Sequence, residues 1–230
     1  MTNENTNLDF SSVLASTIHD IKNSLGILLG TLSDVTEEIE CTDSIVSNKL
    51  KQMRLEGQRV NRDLIQLLVL YRLNKNEYYI NAQEYNLADF IDDLVQDNQD
   101  IFDFKDIRLV VECDPLIQGY FDRELIFGVI NSTIHNAYKY TKDLIKISCE
   151  TVGRGISISV EDNGPGYPAK LLDRESSELS GFSFETGNTG LGMYFAAQIA
   201  KLHQSNGESG YTKLSNSGPD NGGKFTIVIP

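Results

Sequence analysis

Asp162-Asn163-Gly164-Pro165-Gly166 follows a stretch in which Ile156, Ile158 and Val160 alternate with Ser157, Ser159 and Glu161. Alternation at period two describes a strand with one apolar face, and continuing it sets Asp162 on the core side. An acid pointed into a core needs a donor, because an unpaired buried charge is expensive. Gly164 and Gly166 let another group come close to the backbone. Further on, Gly187-Asn188-Thr189-Gly190-Leu191-Gly192 opens a helical stretch from Met193 to His203. A helix start of this kind turns backbone N–H groups and the positive end of the helix dipole toward an anion. One core-facing acid to accept from the base, followed by two glycine clusters, is what an adenine nucleotide pocket needs. The exocyclic amine would meet Asp162, and the phosphates would meet Gly187, Gly190, Leu191 and Gly192. Blander readings exist for each half alone: Asp-Asn-Gly is good turn chemistry at a strand end, and a glycine-rich loop can simply precede a helix.

A third element lies upstream, in Ser132-Thr133-Ile134-His135-Asn136-Ala137-Tyr138-Lys139-Tyr140. On a helix Ser132, Asn136, Lys139 and Tyr140 share one face. That face offers an amide oxygen for Mg²⁺, an ammonium for phosphate and a ring for the base. A solvated polar face is the alternative, and His135, turned away from Asn136, reads as structural. Gly218-Pro219-Asp220-Asn221-Gly222-Gly223-Lys224-Phe225 comes near a phosphate loop. Phe225 stands where a hydroxyl would hold magnesium and a strand follows instead of a helix, so the match is rejected.

Around these motifs the pattern predicts a helix near Leu87–Val95, a strand at Arg108–Cys113, a helix at Asp122–Tyr140, a strand at Ile145–Glu150 and a closing strand at Lys224–Ile229. This mixed order suggests an α+β sandwich with helices on one face. Residues 173–190 and 205–223 read as long loops, the first placed where a nucleotide lid would sit. The N-terminal third differs. Ile18, Ile21, Leu25, Leu28, Leu32, Val35 and Ile39 fall at steps of three and four, as do Val46, Leu50, Met53, Gly57, Val60, Leu64, Leu67 and Tyr71. Two long helices joined by a short polar turn make an antiparallel hairpin. Alone it leaves apolar surface wet, so pairing into a dimeric four-helix bundle is expected, with a hairpin packed on its own C-terminal domain as the alternative. The reading divides the chain into a helical hairpin over 1–76 and a nucleotide-binding domain over 77–230.

Composition narrows the function classes. A net charge of −13 argues against a nucleic-acid surface, which needs clustered Lys and Arg. No apolar run approaches the roughly 18–20 residues that span a bilayer, so no membrane partner is expected. Met1 to Asp9 is polar and acidic, unlike a secretory or transit signal. Cys41, Cys113 and Cys149 are few, odd in number and far apart, which suits a reducing cytoplasm and argues against a metal site or structural disulfide. A cytoplasmic protein is expected.

With these residues in place, the chain resembles sensor histidine kinases, and more broadly the ATPase family shared by heat-shock protein 90, DNA gyrase and MutL. His135-Asn136-Ala137-Tyr138-Lys139-Tyr140-Thr141 looks like the N box of that family. Asp162, Gly164 and Gly166 look like its first glycine box, Gly187, Gly190 and Gly192 its second, and Phe182 and Phe184 its phenylalanine box. The resemblance covers about residues 85–230 and implies a Bergerat-type ATP-binding domain. It further implies Asn136 on Mg²⁺, Lys139 on phosphate, Tyr140 against adenine and Asp162 on the adenine amine. Ser132 departs from the pattern, standing where a second asparagine is usual.

His19-Asp20-Ile21-Lys22-Asn23-Ser24-Leu25 resembles the H box of the same kinases, with Asp20 for the commoner glutamate. His19 follows Ile18 of the apolar stripe and is expected on the bundle's flank. A neutral imidazole is nucleophilic near pH 7, and phosphoryl transfer asks mainly for positioning and charge neutralisation. Asp20 is expected to hold the ring and accept its proton. The resemblance implies that Asn23 orients a water for dephosphorylating a partner. The expected function is a dimeric ATP-dependent protein-histidine kinase that phosphorylates His19 and passes the group to an aspartate of a response-regulator receiver domain. The first helix begins close to Met1, so a separate sensor protein or a ligand at the bundle is expected to supply input. The alternatives are a phosphotransfer protein with a non-catalytic ATPase-like domain and an ATP-driven dimer clamp.

Overall fold

The computed structural model describes residues 10–39, 44–75, 77–172 and 190–230. The chain divides into two compact units, residues 1–78 and 79–230. Gly187, Phe182, Phe184 and Cys41 lie outside the described residues, and of His19 and Asp20 the backbone alone is described.

The first unit is a pair of long helices, α1 (Phe10–Ile39) and α2 (Ser44–Asn74). They pack on each other closely. A Cβ added at Gly57 on α2 would sit 2.6 Å from Leu29 Cδ2 of α1, which is why the seam tolerates the helix cost of a glycine there. The heptad stripes split in two. Leu25, Leu32, Leu50 and Leu64 are half-buried, whereas Ile21, Leu28, Val35, Val46, Met53, Val60 and Leu67 are exposed, Leu28 at 56% and Met53 at 59%. Among the described residues no helix is long and apolar enough to cross a membrane.

The second unit is α+β. A short antiparallel pair, β1 (Ala82–Asn86) and β3 (Gln118–Asp122), stands beside a five-stranded sheet. That sheet comprises β2 (Arg108–Glu112), β4 (Leu144–Val152), β5 (Gly155–Asp162), β8 (Tyr211–Ser215) and β9 (Lys224–Ile229) in the order β2-β4-β5-β9-β8. β2 and β4 are parallel and the other pairs antiparallel. Helices α5 (Arg123–Tyr140) and α7 (Leu191–Leu202) pack against the sheet and against each other. Helices α3 (Leu87–Asp97) and α4 (Gln99–Phe104) precede β2, and α6 (Ala169–Leu172) is a single turn. Ile126, Ile130, Ile134, Ile145, Ile147, Ile158, Ile199 and Ile227 form the core. Both capped helices start as their sequences dictate: Asn86 accepts from the Asp89 N–H and Asp122 from the Leu125 N–H.

Three sequence expectations need correction. The loop expected over 205–223 contains β8 and the small hairpin β6 (Gln204–Ser205) and β7 (Glu208–Ser209). β8 is an edge strand with little apolar content, so its alternation is weak. For the same reason β9 does not close the sheet, because β8 pairs beyond it. β1 and β3 were also not expected: Ala82–Asn86 and Gln118–Asp122 are too polar for a clear period-two signal.

Candidate nucleotide site

β5 carries Asp162 to the end of the sheet. The strand is buried along both faces, Ile156, Ile158 and Val160 on one and Ser157, Ser159 and Glu161 on the other. Asp162 is 7% exposed. Its Oδ1 accepts the Gly164 N–H at 2.7 Å, and its own N–H donates to Gly223 O at 2.9 Å. Burial raises the carboxyl above the usual carboxylate range, opposed by the backbone donors of Gly164 and Gly223. A carboxylate has about four acceptor positions, so this acid is a desolvated acceptor suited to an N–H donor such as an aromatic amine.

The glycines around it admit no side chain. A Cβ at Gly164 would overlap the Tyr140 carbonyl oxygen, and one at Gly222 would overlap that of Asp162. Gly166 has φ +75°, a left-handed conformation natural to glycine, and a Cβ there would run into Asn216. Asn216 fixes the loop: its Oδ1 accepts the Tyr167 N–H at 2.7 Å and its Nδ2 donates to Tyr167 O at 2.9 Å. The Tyr167 ring lies against Gly223, and burial together with Asp162 pushes its phenol far above the ordinary range.

α5 brings the second set of residues to the same corner. Asn136, Lys139 and Tyr140 are exposed on it, Tyr140 at 43%, and Ser132 is half-buried. Lys139 Nζ stands 5.3 Å from the Tyr140 ring centroid. The helix ends at Thr141, whose N–H donates to Ala137 O at 2.7 Å. Gly190 starts α7 in a left-handed conformation, φ +62°, with no side chain to cap it, and Leu191 beside it is buried. Among the described residues no group of three His, Cys, Asp or Glu side chains is placed to hold a metal ion.

The structure therefore brings together Asp162, Gly164, Gly166 and the carbonyl of Tyr140, with Asn136 and Lys139 on the helix that ends there. Gly190, Leu191 and Gly192 form the start of α7, which packs on α5 through Phe195 against Gly128. His19, Asp20 and Asn23 belong to α1 in the other unit. Lys224, set aside as a phosphate lysine, pairs with Glu161 at 3.0 Å instead. Sequence reasoning missed the role of its neighbours: Gly218, Gly222 and Gly223 pack directly under Asp162. The signal was the glycine cluster itself, read only as a failed phosphate loop. Asn163, hidden inside the first glycine box, was missed as well.

Comparison with known proteins agrees with this geometry. Residues 121–230 match the family described as histidine kinase-, DNA gyrase B-, and HSP90-like ATPase. The phosphate regulon sensor protein PhoR of Pseudomonas aeruginosa is 24% identical over 93% of this chain and 48% of its own length. The adaptive-response sensory kinase SasA of Crocosphaera subtropica is 24% identical over 95% of this chain and 58% of its own. The chain thus spans about half the length of the curated relatives it matches. The solved structure of the Acinetobacter baumannii histidine kinase AdeS superposes with a TM-score of 0.60 at 23% identity, covering 92% of this chain and 96% of that one.

Proposed function

We propose, from the match of residues 121–230 to the histidine kinase-, DNA gyrase B-, and HSP90-like ATPase family, that this chain is a protein-histidine kinase. The observation that carries the reading is Asp162: a buried carboxylate among glycines, next to the end of the helix bearing Asn136, Lys139 and Tyr140. Asp162 accepts the adenine amine, and Gly164 and Gly166 keep the backbone low beside the ring. Tyr140 covers the base. Lys139 faces the phosphates, and the backbone N–H groups of Gly190, Leu191 and Gly192 at the start of α7 hold them. Asn136 is the one protein ligand proposed for Mg²⁺, which normally keeps several waters and phosphate oxygens around it. An exposed amide oxygen fits that hard cation. When bound, the cation neutralises charge on the phosphates.

His19 of α1 is the proposed acceptor of the γ-phosphoryl group, with Asp20 taking the imidazole proton as the N–P bond forms and the bond to the β-phosphate oxygen breaks. The phosphoryl group then passes to an aspartate of a response-regulator receiver domain. Histidine kinases among the relatives support this partner class. The exposed row Ile21, Leu28, Val35, Val46, Met53, Val60 and Leu67 supports a homodimer in which two hairpins close a four-helix bundle. A cytoplasmic site of action is proposed for these units.

The test is incubation with γ-labelled ATP and Mg²⁺. Label stable to base and labile to acid should appear on the native chain and vanish in His19→Ala. Label retained by His19→Ala would overturn the assignment of the acceptor. ATP turnover with no labelled protein would favour a dimer clamp.

A further inference from the structure

We propose that Cys113 and Cys149 form a thiol–disulfide modification site, oxidised by hydrogen peroxide. The two are far apart in sequence and adjacent in the sheet. β2 and β4 run parallel with Glu112 opposite Ser148, so the next rung sets Cys113, just past the end of β2, beside Cys149. Neighbouring strands lie about 4.7–4.9 Å apart, within the Cα separation of about 4.4–6.8 Å that a disulfide requires. The two thiols are close enough to perturb each other, and Cys113 Sγ donates to Asp114 O at 3.9 Å. Both are free thiols, Cys149 buried in β4 and Cys113 half-buried just beyond the edge strand β2. Solvent therefore reaches Cys113 more readily than Cys149.

The surroundings select the oxidant. Asp114 and Asp92 lie near Cys113 and disfavour an anion there, so neutral peroxide is preferred over an anionic disulfide. Burial raises both thiols, which keeps the thiolate fraction small and slows the first attack on peroxide. Cys113 sulfur attacks one peroxide oxygen; the S–O bond forms, the O–O bond breaks, and the leaving hydroxide departs as water with the Cys113 proton. Cys149 sulfur then displaces the remaining oxygen from Cys113. The S–S bond forms, and that hydroxide leaves as a second water with the Cys149 proton. Two thiols lose two electrons and one peroxide gains them.

The site lies along the sheet from the nucleotide residues: Cys149 is opposite Ile158, whereas Asp162 is opposite Ile145. It does not depend on the kinase reading. The experiment treats the full chain with hydrogen peroxide, blocks residual thiols by alkylation, and maps a non-reduced tryptic digest by mass spectrometry. The expected product joins peptide 109–123 to peptide 147–154, lighter than their sum by two hydrogens, and a reductant separates them. Cys41→Ser should retain this product and Cys113→Ser should lose it, with Cys149 still alkylated. Cys113 over-oxidised while Cys149 remains alkylated would overturn the proposal. So would linkage only through Cys41 or between chains, or two unmodified thiols.

Discussion

Asn163 Oδ1 accepts the Thr141 hydroxyl at 2.8 Å, and it also receives the backbone N–H groups of Lys142, Asp143 and Leu144 at 3.2, 3.2 and 3.1 Å. Its Nδ2 donates to Asp143 Oδ1 at 2.8 Å. One buried amide thus ties the end of α5 to the end of β5. Tyr140 precedes Thr141 and Asp162 precedes Asn163, so this joint sets the spacing between the aromatic and acidic walls of the proposed adenine site.

Replacing Asn163 with Ala removes the acceptor and strands several buried donors. Each unsatisfied buried donor costs about 1–3 kcal/mol, and water reaching part of the turn recovers some of that, so a loss of about 2–4 kcal/mol is expected in urea unfolding. ADP affinity measured by calorimetry should fall as well, because the walls lose their register. Wild-type stability in Asn163→Ala would show that the turn stands without the amide.

Much of this unit was legible because apolar periodicity writes it directly: α5, β4, β5 and β9 have runs of isoleucine and valine at helical or strand spacing. Asp162 was legible because alternation along β5 projects it inward. Asn163 was not. A residue's hydrogen bonds to a turn near 141–144 depend on β4 and β5 pairing with Ile145 opposite Asp162, and no local pattern encodes that register. β8 was missed for a related reason: Tyr211, Lys213 and Ser215 give an edge strand that tertiary pairing with β9 defines more than propensity does.

Asp162→Asn should weaken ADP binding roughly 10–100-fold, the equivalent of one hydrogen bond to a charged group at about 1.5–3 kcal/mol. The fold should tolerate it, and the pH dependence carries the sign. The folded carboxyl titrates above its unfolded value of 3.8, so the folded state holds the proton more tightly. Its contribution favours the fold at low pH and turns unfavourable as pH rises through the raised value. Unfolding free energies of wild type and Asp162→Asn, compared across that window, should diverge as pH rises, the variant gaining. Parallel curves would mean the carboxyl is better solvated than its burial implies.

His203 supplies a second pH signature of opposite sense. Its Nε2 accepts the Asp122 N–H at 3.0 Å, so the proton sits on Nδ1, which donates to Ile199 O at 2.8 Å. The ring is neutral in the fold, and burial lowers its pKa from 6.5 despite the Ile199 carbonyl and the Asp122 carboxylate. The unfolded chain binds the proton more readily, so stability is full above about 6.5 and falls as pH drops from there toward the lowered value. His203→Gln should flatten that limb of the stability profile while lowering the plateau. An unchanged acid limb would assign it to other groups.

Gly222 and Gly128 should respond to alanine in opposite directions. At Gly222 the added Cβ would overlap the Asp162 carbonyl oxygen, a backbone atom that cannot swing away. Gly222→Ala should cost about 1–3 kcal/mol and weaken ADP binding. Gly128 lies within α5, and its added Cβ would meet only Phe195 at 3.7 Å, an ordinary contact. Gly128→Ala should add about 0.5–1 kcal/mol through helix propensity. Thermal unfolding of the two variants side by side distinguishes steric exclusion from a general dislike of change.

In the proposed kinase, Asn23 decides whether α1 serves one reaction or two. Positions 19 and 23 are one helical turn apart and so share a face of α1, and Asn23 is exposed. Phosphorylation of His19 needs the imidazole and a proton acceptor, and neither is Asn23. Removing phosphate from a partner's aspartate instead needs a water aligned with the phosphorus, which an amide one turn from the imidazole can orient. Asn23→Ala should therefore keep autophosphorylation within about twofold of wild type while dephosphorylation of the receiver domain falls by roughly 100-fold or more, the lower end of the range for loss of a positioned catalytic side chain. Purified phosphorylated receiver domain, followed by loss of label with each variant, reads the second rate directly. Equal loss of both activities would place Asn23 in the phosphorylation step, and an unchanged dephosphorylation rate would remove it from the chemistry.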